Sequence, residues 1–257
     1  MMKKYTSTAL MCMNEKGYFG FVYLVGQYFL RAATMLAMVM VWRALFRQGV
    51  SYDGLNLSQM LTYTVLSSAL EPMLNVRTPA SSWLQDGSRL ALYLRPAPVF
   101  GQLVAHTVGG WLMPLLCYGA PALIAAHLFG VNITPITLWF LPSLLLAIVQ
   151  GFAVDFLFAA LMMRMKNLEW TVHSLREALN ALFTGALIPF AAMPFGIGKV
   201  LALTPLGSLA GAPLALFAGL SKPESVLIPQ LIWTIVLWPL AYLAFEKSRE
   251  RLVSYGG

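Results

Sequence analysis

Charged side chains inside long apolar runs are the residues of this chain best suited to chemistry. They are Arg31, Glu71, Asp155, Arg176 and Glu177. A charge within the hydrocarbon of a membrane is costly, so such residues pair with one another or line a polar route. Glu71 and Asp155 are therefore candidates for a translocation path, with Arg31 or Arg176 as the neutralising partner. The alternative is a buried structural ion pair, or an arginine that extends to the membrane surface.

The sequence contains no motif for nucleotide binding, metal binding or catalysis. The one Gly-Lys pair, Gly198-Lys199, lacks the glycine five residues earlier that a phosphate-binding loop requires. Three histidines are scattered over three regions, and two cysteines, Cys12 and Cys117, form neither a CxxC pair nor a metal spacing. We therefore predict no catalytic, cofactor or metal site in this chain.

The composition indicates a membrane protein. Of 257 residues, 59% are apolar and 11% are charged, whereas a soluble domain carries roughly 25% charged residues. The net charge of +7 does not indicate nucleic-acid binding, because the Lys and Arg residues lie in short segments between apolar runs. In such positions they set topology and contact anionic headgroups of membrane lipids.

The apolar runs predict an all-α integral membrane fold in a single domain, 1–257. A helix needs about 20 mostly apolar residues to cross the hydrocarbon, which predicts six spans. They lie at 21–46, 57–76, 99–129, 137–163, 171–193 and 226–246. Residues 1–20 show an apolar stripe at helical spacing and are predicted to form an amphipathic helix on the membrane surface. A frayed tail is the alternative.

Residues 194–225 are apolar and long enough to cross, yet proline and glycine interrupt them repeatedly. We expect a re-entrant segment, because irregular backbone is stable at membrane depth only when protein shields it from lipid. A seventh crossing would also export the basic C-terminal cluster, against the positive-inside rule. Both termini are therefore predicted to be cytoplasmic. Within the segment, Gly207 and Gly211 have the GxxxG spacing that permits close helix contact.

The basic segment 77–98 is the most informative cytoplasmic piece. Thr78-Pro79 is a typical helix start, and Gly87 is a natural stop. Two short helices here, with exposed Trp83 and Arg89, would form a docking surface for a soluble partner. The alternative is an ordinary interfacial loop anchored by its aromatic residues.

The second predicted span is unusually polar for a helix that faces lipid. Its polar residues are Ser58, Gln59, Thr62, Thr64, Ser67, Ser68 and Glu71. Such residues normally face a bundle interior or a cavity. We therefore expect this span to line a dimer interface or a translocation route, with Thr64, Ser68, Glu71 and Asp155 as the path candidates.

The order of the proline and glycine motifs resembles the permeases of the ABC-2 family, the membrane subunits of type-2 ABC exporters. In the last third of the chain the matching residues are Gly185, Pro189, Pro194, Thr204-Pro205-Leu206, Pro213 and Gly219. In the first cytoplasmic loop they are Gly87 followed by Leu94-Arg95-Pro96. Each motif is weak alone; their order, over most of the chain, is what carries the resemblance.

The resemblance implies that 77–98 is the coupling segment that contacts a separate ATPase subunit, which would bind ATP and Mg²⁺. The coupling residues would be Trp83, Gly87, Arg89, Leu94, Arg95 and Pro96. It also implies a dimer with a second or related permease in a bacterial cytoplasmic membrane, and an extracytoplasmic cap built on Gly185, Pro189, Pro194, Pro205, Gly207 and Gly211.

Three other functions remain open on the sequence. The first is a stand-alone secondary transporter with Asp155 or Glu71 as its proton carrier. The second is a membrane enzyme acting on lipids, which would need clustered catalytic groups that the sequence lacks. The third is an assembly factor. The sequence does not identify a transported substrate.

Overall fold

A computed structural model describes residues 6–8, 10–11, 21–49, 55–80, 98–165 and 168–253. In these ranges the chain is helical, with no strand, which confirms the predicted all-α class. Residues 6–8 and 10–11 are helical; most of the predicted surface helix at 1–20 lies outside the described residues.

In the described ranges turns and irregular segments separate the helices, and one helical stretch is interrupted by a π-helical turn. In chain order they are α1 (Phe21–Arg47), α2 (Leu57–Ala69), α3 (Glu71–Leu74), α4 (Val99–Pro114), α5 (Ala120–Leu128), α6 (Phe140–Arg164), α7 (Glu169–Phe183), α8 (Ile197–Ala202), α9 (Gly211–Phe217) and α10 (Pro223–Val253). A π-helical turn, Leu115–Gly119, joins α4 to α5. Pro114 and Pro121 flank this turn, and because proline removes a backbone donor it favours such a local change of helical pitch.

Four helical stretches in the described ranges are long and apolar enough to cross a bilayer. They are Val25–Arg47, Val99–Leu128, Phe140–Arg164 and Pro223–Ser248. They correspond to the first, third, fourth and sixth predicted spans. The protein is therefore a multi-pass membrane protein.

The other two predicted spans differ from the sequence expectation. The second, α2 followed by α3, is broken at Leu70. The fifth was predicted to reach residue 193, but α7 has 15 residues and ends at Phe183. A helix of that length covers about 22 Å, less than the about 30 Å hydrocarbon core. Its early end has a local cause, since Gly185 has φ +75° and Pro189 follows. The count of six crossings stays a prediction.

The broken segment consequently begins near Thr184, ten residues earlier than expected. It contains two 3₁₀ turns, Phe190–Ala192 and Pro194–Gly196, and the short helices α8 and α9. The predicted GxxxG helix contact is wrong, because Gly207 lies in the turn before α9 and Gly211 is the first residue of α9. Each glycine instead permits a separate close approach: Gly207 to the Leu201 carbonyl, and Gly211 to the Phe190 ring.

Polar side chains of α2 stabilise this irregular backbone. The Tyr63 hydroxyl donates to the Gly185 carbonyl at 2.7 Å, and the Ser67 hydroxyl donates to the Ala186 carbonyl at 2.5 Å. The Gln59 amide donates to the Ala218 carbonyl at 3.2 Å. Non-helical carbonyls that cannot reach water need such partners. Polar side chains spread along α2 therefore support the broken segment.

The largest helix contact joins α6 and α10. Phe156, which is fully buried on α6, packs there against Phe245. A buried polar cluster lies in the same interface: Gln230 of α10 donates to the carbonyls of Ser143 (3.2 Å) and Ser208 (2.9 Å), and accepts from the Ser143 hydroxyl at 2.8 Å. Sequence reasoning missed this cluster, whose only signal is a glutamine inside an apolar span. Interhelical hydrogen bonds of this kind fix the relative position of two membrane helices.

Candidate functional site

A cleft of about 430 Å³ lies between α1, the α2–α3 pair and α7. Its polar side combines hydroxyl groups of α2 with the charged residues Arg31, Glu71, Arg77 and Glu177. Its apolar side is formed largely by Leu30, Met35 and Met38 of α1. Small-molecule sites in proteins have volumes of about 300–1,000 Å³ and a mostly apolar wall with few polar groups. The cleft has the size and the lining of such a site.

The predicted path residues Thr64, Ser68 and Glu71 all line this cleft. The Trp42 indole donates to the Thr64 hydroxyl at 3.0 Å, and the hydroxyls of Ser68 and Tyr118 are 2.5 Å apart. These contacts hold the polar wall of the cleft in place. Asp155, the fourth candidate, does not line the cleft.

A row of ion pairs closes one end of the cleft. Arg31 of α1 contacts Glu71 of α3 at 2.5 Å, and Arg77 contacts Glu177 of α7 at 2.8 Å. Arg77 also lies 3.7 Å from Glu71. The row therefore connects three parts of the fold, and its side chains are about a quarter to a half exposed. It contains two positive and two negative groups, so its net charge is zero.

Asp155 belongs to a second, buried pair behind this row. Its carboxylate contacts Arg176 of α7 at 2.6 Å, and the two side chains are 4% and 6% exposed. The same carboxylate accepts from the Thr78 backbone N–H at 2.9 Å and from the Thr78 hydroxyl. Arg176 also donates to the Val76 carbonyl. The pair thus fixes residues 76–78 to both α6 and α7, which is the structural alternative foreseen for these charges.

Arg176 and Glu177 are adjacent in sequence and point to different partners, Asp155 and Arg77, as neighbouring helical residues must. Gly151 of α6 allows residues 76–78 to pack closely on this helix, because an added Cβ at position 151 would lie 2.6 Å from a Val76 methyl group. The loop start therefore packs directly on the α6 backbone. Sequence reasoning did not single out Gly151.

The structure describes little of the predicted coupling segment. Residues 77–80 and Pro98 are described, whereas Trp83, Gly87, Arg89, Leu94, Arg95 and Pro96 lie outside the described residues. The described start of the segment is nevertheless informative, since Arg77 and Thr78 both belong to the ion-pair system above.

The residues of the predicted cap all lie in the broken segment that follows α7. Gly185 comes directly after α7, Pro189 precedes the first 3₁₀ turn and Pro194 begins the second, and Pro205 and Gly207 lie in the turn between α8 and α9. No group of His, Cys, Asp or Glu able to hold a metal ion occurs in the part of the chain that the structure describes.

Replacing Arg31 by glutamine is expected to lower the free energy of unfolding by less than about 1 kcal/mol, because a partly exposed ion pair contributes little. Thermal unfolding of the purified variant in detergent would measure this. A loss as large as that of a core truncation would show that the Arg31–Glu71 pair holds α1 in place.

Comparison with known families gives one result. A family model described as "ABC-2 family transporter protein" matches residues 32–256. No curated protein and no solved structure is significantly similar to the chain.

Proposed function

Since this chain belongs to the ABC-2 family of transporter proteins, we propose that it is the transmembrane subunit of an ATP-driven exporter. A separate ATP-binding subunit would bind ATP and Mg²⁺ and hydrolyse the nucleotide. The permease would supply the translocation route, and it would lie in a bacterial cytoplasmic membrane with both termini in the cytoplasm. Neither catalytic nor cofactor residues are expected in the permease itself.

The observation that carries the proposal is the attachment of residues 76–78. The buried Asp155–Arg176 pair ties them to α6 and α7, and the Arg77–Glu177 pair ties them to the wall of the cleft. The coupling segment, predicted to contact the ATPase through Trp83, Arg89 and Arg95, follows within a few residues. A displacement of that segment would therefore be passed to the helices that line the cleft.

A dimer is part of the same proposal. The outer face of α1 carries exposed apolar residues such as Phe29 and Met40. This face would contact lipid or a second permease, identical or related. Residues 184–222 would form the extracytoplasmic cap over the route.

The test is co-expression of the tagged permease with a candidate ATP-binding subunit chosen from the neighbouring genes. We expect the two to purify together and to transport fluorescent amphiphiles into inside-out vesicles only when ATP is present. Replacing Arg95 by glutamate should reduce co-purification at least about tenfold, since charged contacts across an interface are sensitive to reversal. Replacing Lys222, which lies outside the predicted coupling segment, is the matched control.

A stand-alone, proton-coupled transporter is the alternative, favoured by the single observation that Glu71 lines the cleft. The Glu71 carboxylate, however, already contacts two arginines of the same chain. Uptake by the permease alone in liposomes under a proton gradient, abolished by Glu71→Gln, would support the alternative and contradict the ATP-driven proposal.

A further inference from the structure

The charge balance and the shape of the cleft restrict what it can bind. From these two features we infer that the cleft takes a single amphiphilic molecule whose head is dipolar and carries no net charge, such as a zwitterion. The inference deepens the proposed function, because it names the chemical class of ligand that the permease would handle.

The head group would lie at the charged end. Within the cleft the charged side chains are Arg31, Arg77, Glu71 and Glu177, two of each sign. A ligand with a net charge would lose part of its hydration in a site that offers no excess of the opposite charge to compensate for that loss. A zwitterionic head meets both signs at once.

The same end offers both kinds of hydrogen-bonding group. In the described part of the chain, Nη1 of Arg31 and Oε1 of Glu177 are buried and have no hydrogen-bond partner. One is a donor with a positive charge, and the other is an acceptor with a negative charge. Both residues line the cleft, so a dipolar head would place its acceptor beside the Arg31 guanidinium and its donor beside the Glu177 carboxylate. The two buried atoms themselves are reached only when these side chains turn toward the cleft.

The tail would lie along α1. Met35 and Met38, about one and two helical turns after Arg31 on α1, line the cleft, and methionine side chains adapt to apolar chains of different shape. Helix α1 packs mainly on α2, and α7 packs mainly on α6. The cleft therefore lies between two helices that rest on separate supports. Its volume of about 430 Å³ suits one small amphiphile rather than a polymer.

The experiment measures protection of a cysteine in the cleft. Thr34, which lines the cleft, is replaced by cysteine in a chain with Cys12→Ala and Cys117→Ala. The protein is purified in a nonionic detergent, and maleimide labelling is followed with three probes of equal chain length: an alkylphosphocholine, an alkyltrimethylammonium and an alkyl sulfate. Leu36→Cys, exposed on α1 outside the cleft lining, is the matched control.

We expect the phosphocholine probe to protect Thr34→Cys at concentrations about tenfold lower than either charged probe, and none of them to protect Leu36→Cys. Removing one charged side chain of the cleft should shift the preference to the probe whose charge has the same sign as the group removed. Adding Arg31→Gln should favour the trimethylammonium probe, adding Glu71→Gln should favour the sulfate probe, and the two together should restore the preference for phosphocholine. Preferences are compared within each protein, so differences in expression do not affect them.

Equal protection by all three probes, protection of Leu36→Cys as well, or an unchanged preference in the two single variants would overturn the inference. If Thr34→Cys is protected in phosphatidylcholine nanodiscs without any added probe, the ligand comes from the bilayer. If it is protected only after the alkylphosphocholine is added, the ligand is a freely diffusing molecule. Both results support the inference. The measurement needs no ATPase. Absence of an ATP-binding partner would therefore defeat the proposed function and leave this result unaffected.

Discussion

Replacing Asp155 by alanine is expected to lower the free energy of unfolding by about 3–5 kcal/mol, because it leaves the Arg176 guanidinium buried without its counter-charge. The Thr78 N–H and hydroxyl lose their acceptor in the same variant. If the proposed function holds, the start of the coupling segment is released as well, and ATP hydrolysis should continue with transport greatly reduced. Denaturant unfolding in mixed micelles and the ratio of transport to ATP hydrolysis measure the two effects.

Two further variants separate the charge effect from a loss of packing. The double variant Asp155→Ala/Arg176→Met removes both charges and should recover a large part of the lost stability, since apolar replacement of a whole buried pair is often close to neutral. Glu71→Gln changes one carboxylate that is about a third exposed and should cost less than about 1 kcal/mol. Equal losses for Asp155→Ala and Glu71→Gln would contradict the assignment of the buried pair as the anchor.

Replacing Gly207 by alanine is expected to lower the free energy of unfolding by about 3 kcal/mol or more. The added Cβ would lie 2.0 Å from the Leu201 carbonyl oxygen, so the backbone of α8 or of the following turn must move, and overpacking of this kind usually costs about 1–3 kcal/mol even where side chains can adjust. Thermal unfolding of the purified variant is the direct measurement.

Gly26 provides the matched control for this substitution. It lies within α1, and an added Cβ there meets nothing within 4 Å. Because alanine is a better helix former than glycine by up to about 1 kcal/mol, Gly26→Ala should be neutral or slightly stabilising. A similar loss for both glycines would show that the close approach at Gly207 is not the reason for the loss of stability.

Much of the architecture could be predicted from the sequence. The apolar runs located the four stretches that are long enough to cross a bilayer, and the order of the proline and glycine motifs indicated the family that the match over residues 32–256 confirms. Both signals are local. Length and hydrophobicity decide whether a helix can cross, and glycine and proline mark where a regular backbone must end.

The end of the fifth predicted span shows the limit of hydrophobicity alone. Residues 184–193 are almost entirely apolar, which favoured a helix to 193. The left-handed conformation of Gly185 ends α7 earlier, and the irregular backbone beyond it is stable because Tyr63 and Ser67 of α2 donate to its carbonyls. The polar residues of α2 led us to expect a dimer interface or a translocation route, and that expectation stays a prediction. The sequence did not show that Gln59 and Ser67 donate to backbone carbonyls of the broken segment.

The sequence by itself determined that this is a helical membrane protein of the ABC-2 family, and which charged residues had to find partners within it. Only the tertiary structure decided the pairing: Arg31 with Glu71 at the cleft, and Arg176 with Asp155 in the buried anchor of residues 76–78. The physical reason is that a charged side chain of a membrane helix pairs with whichever opposite charge lies beside it, whether the pair is buried, as for Asp155 and Arg176, or partly exposed, as for Arg31 and Glu71. That neighbour is set by how the helices rotate and pack, which the order of residues along one helix does not specify.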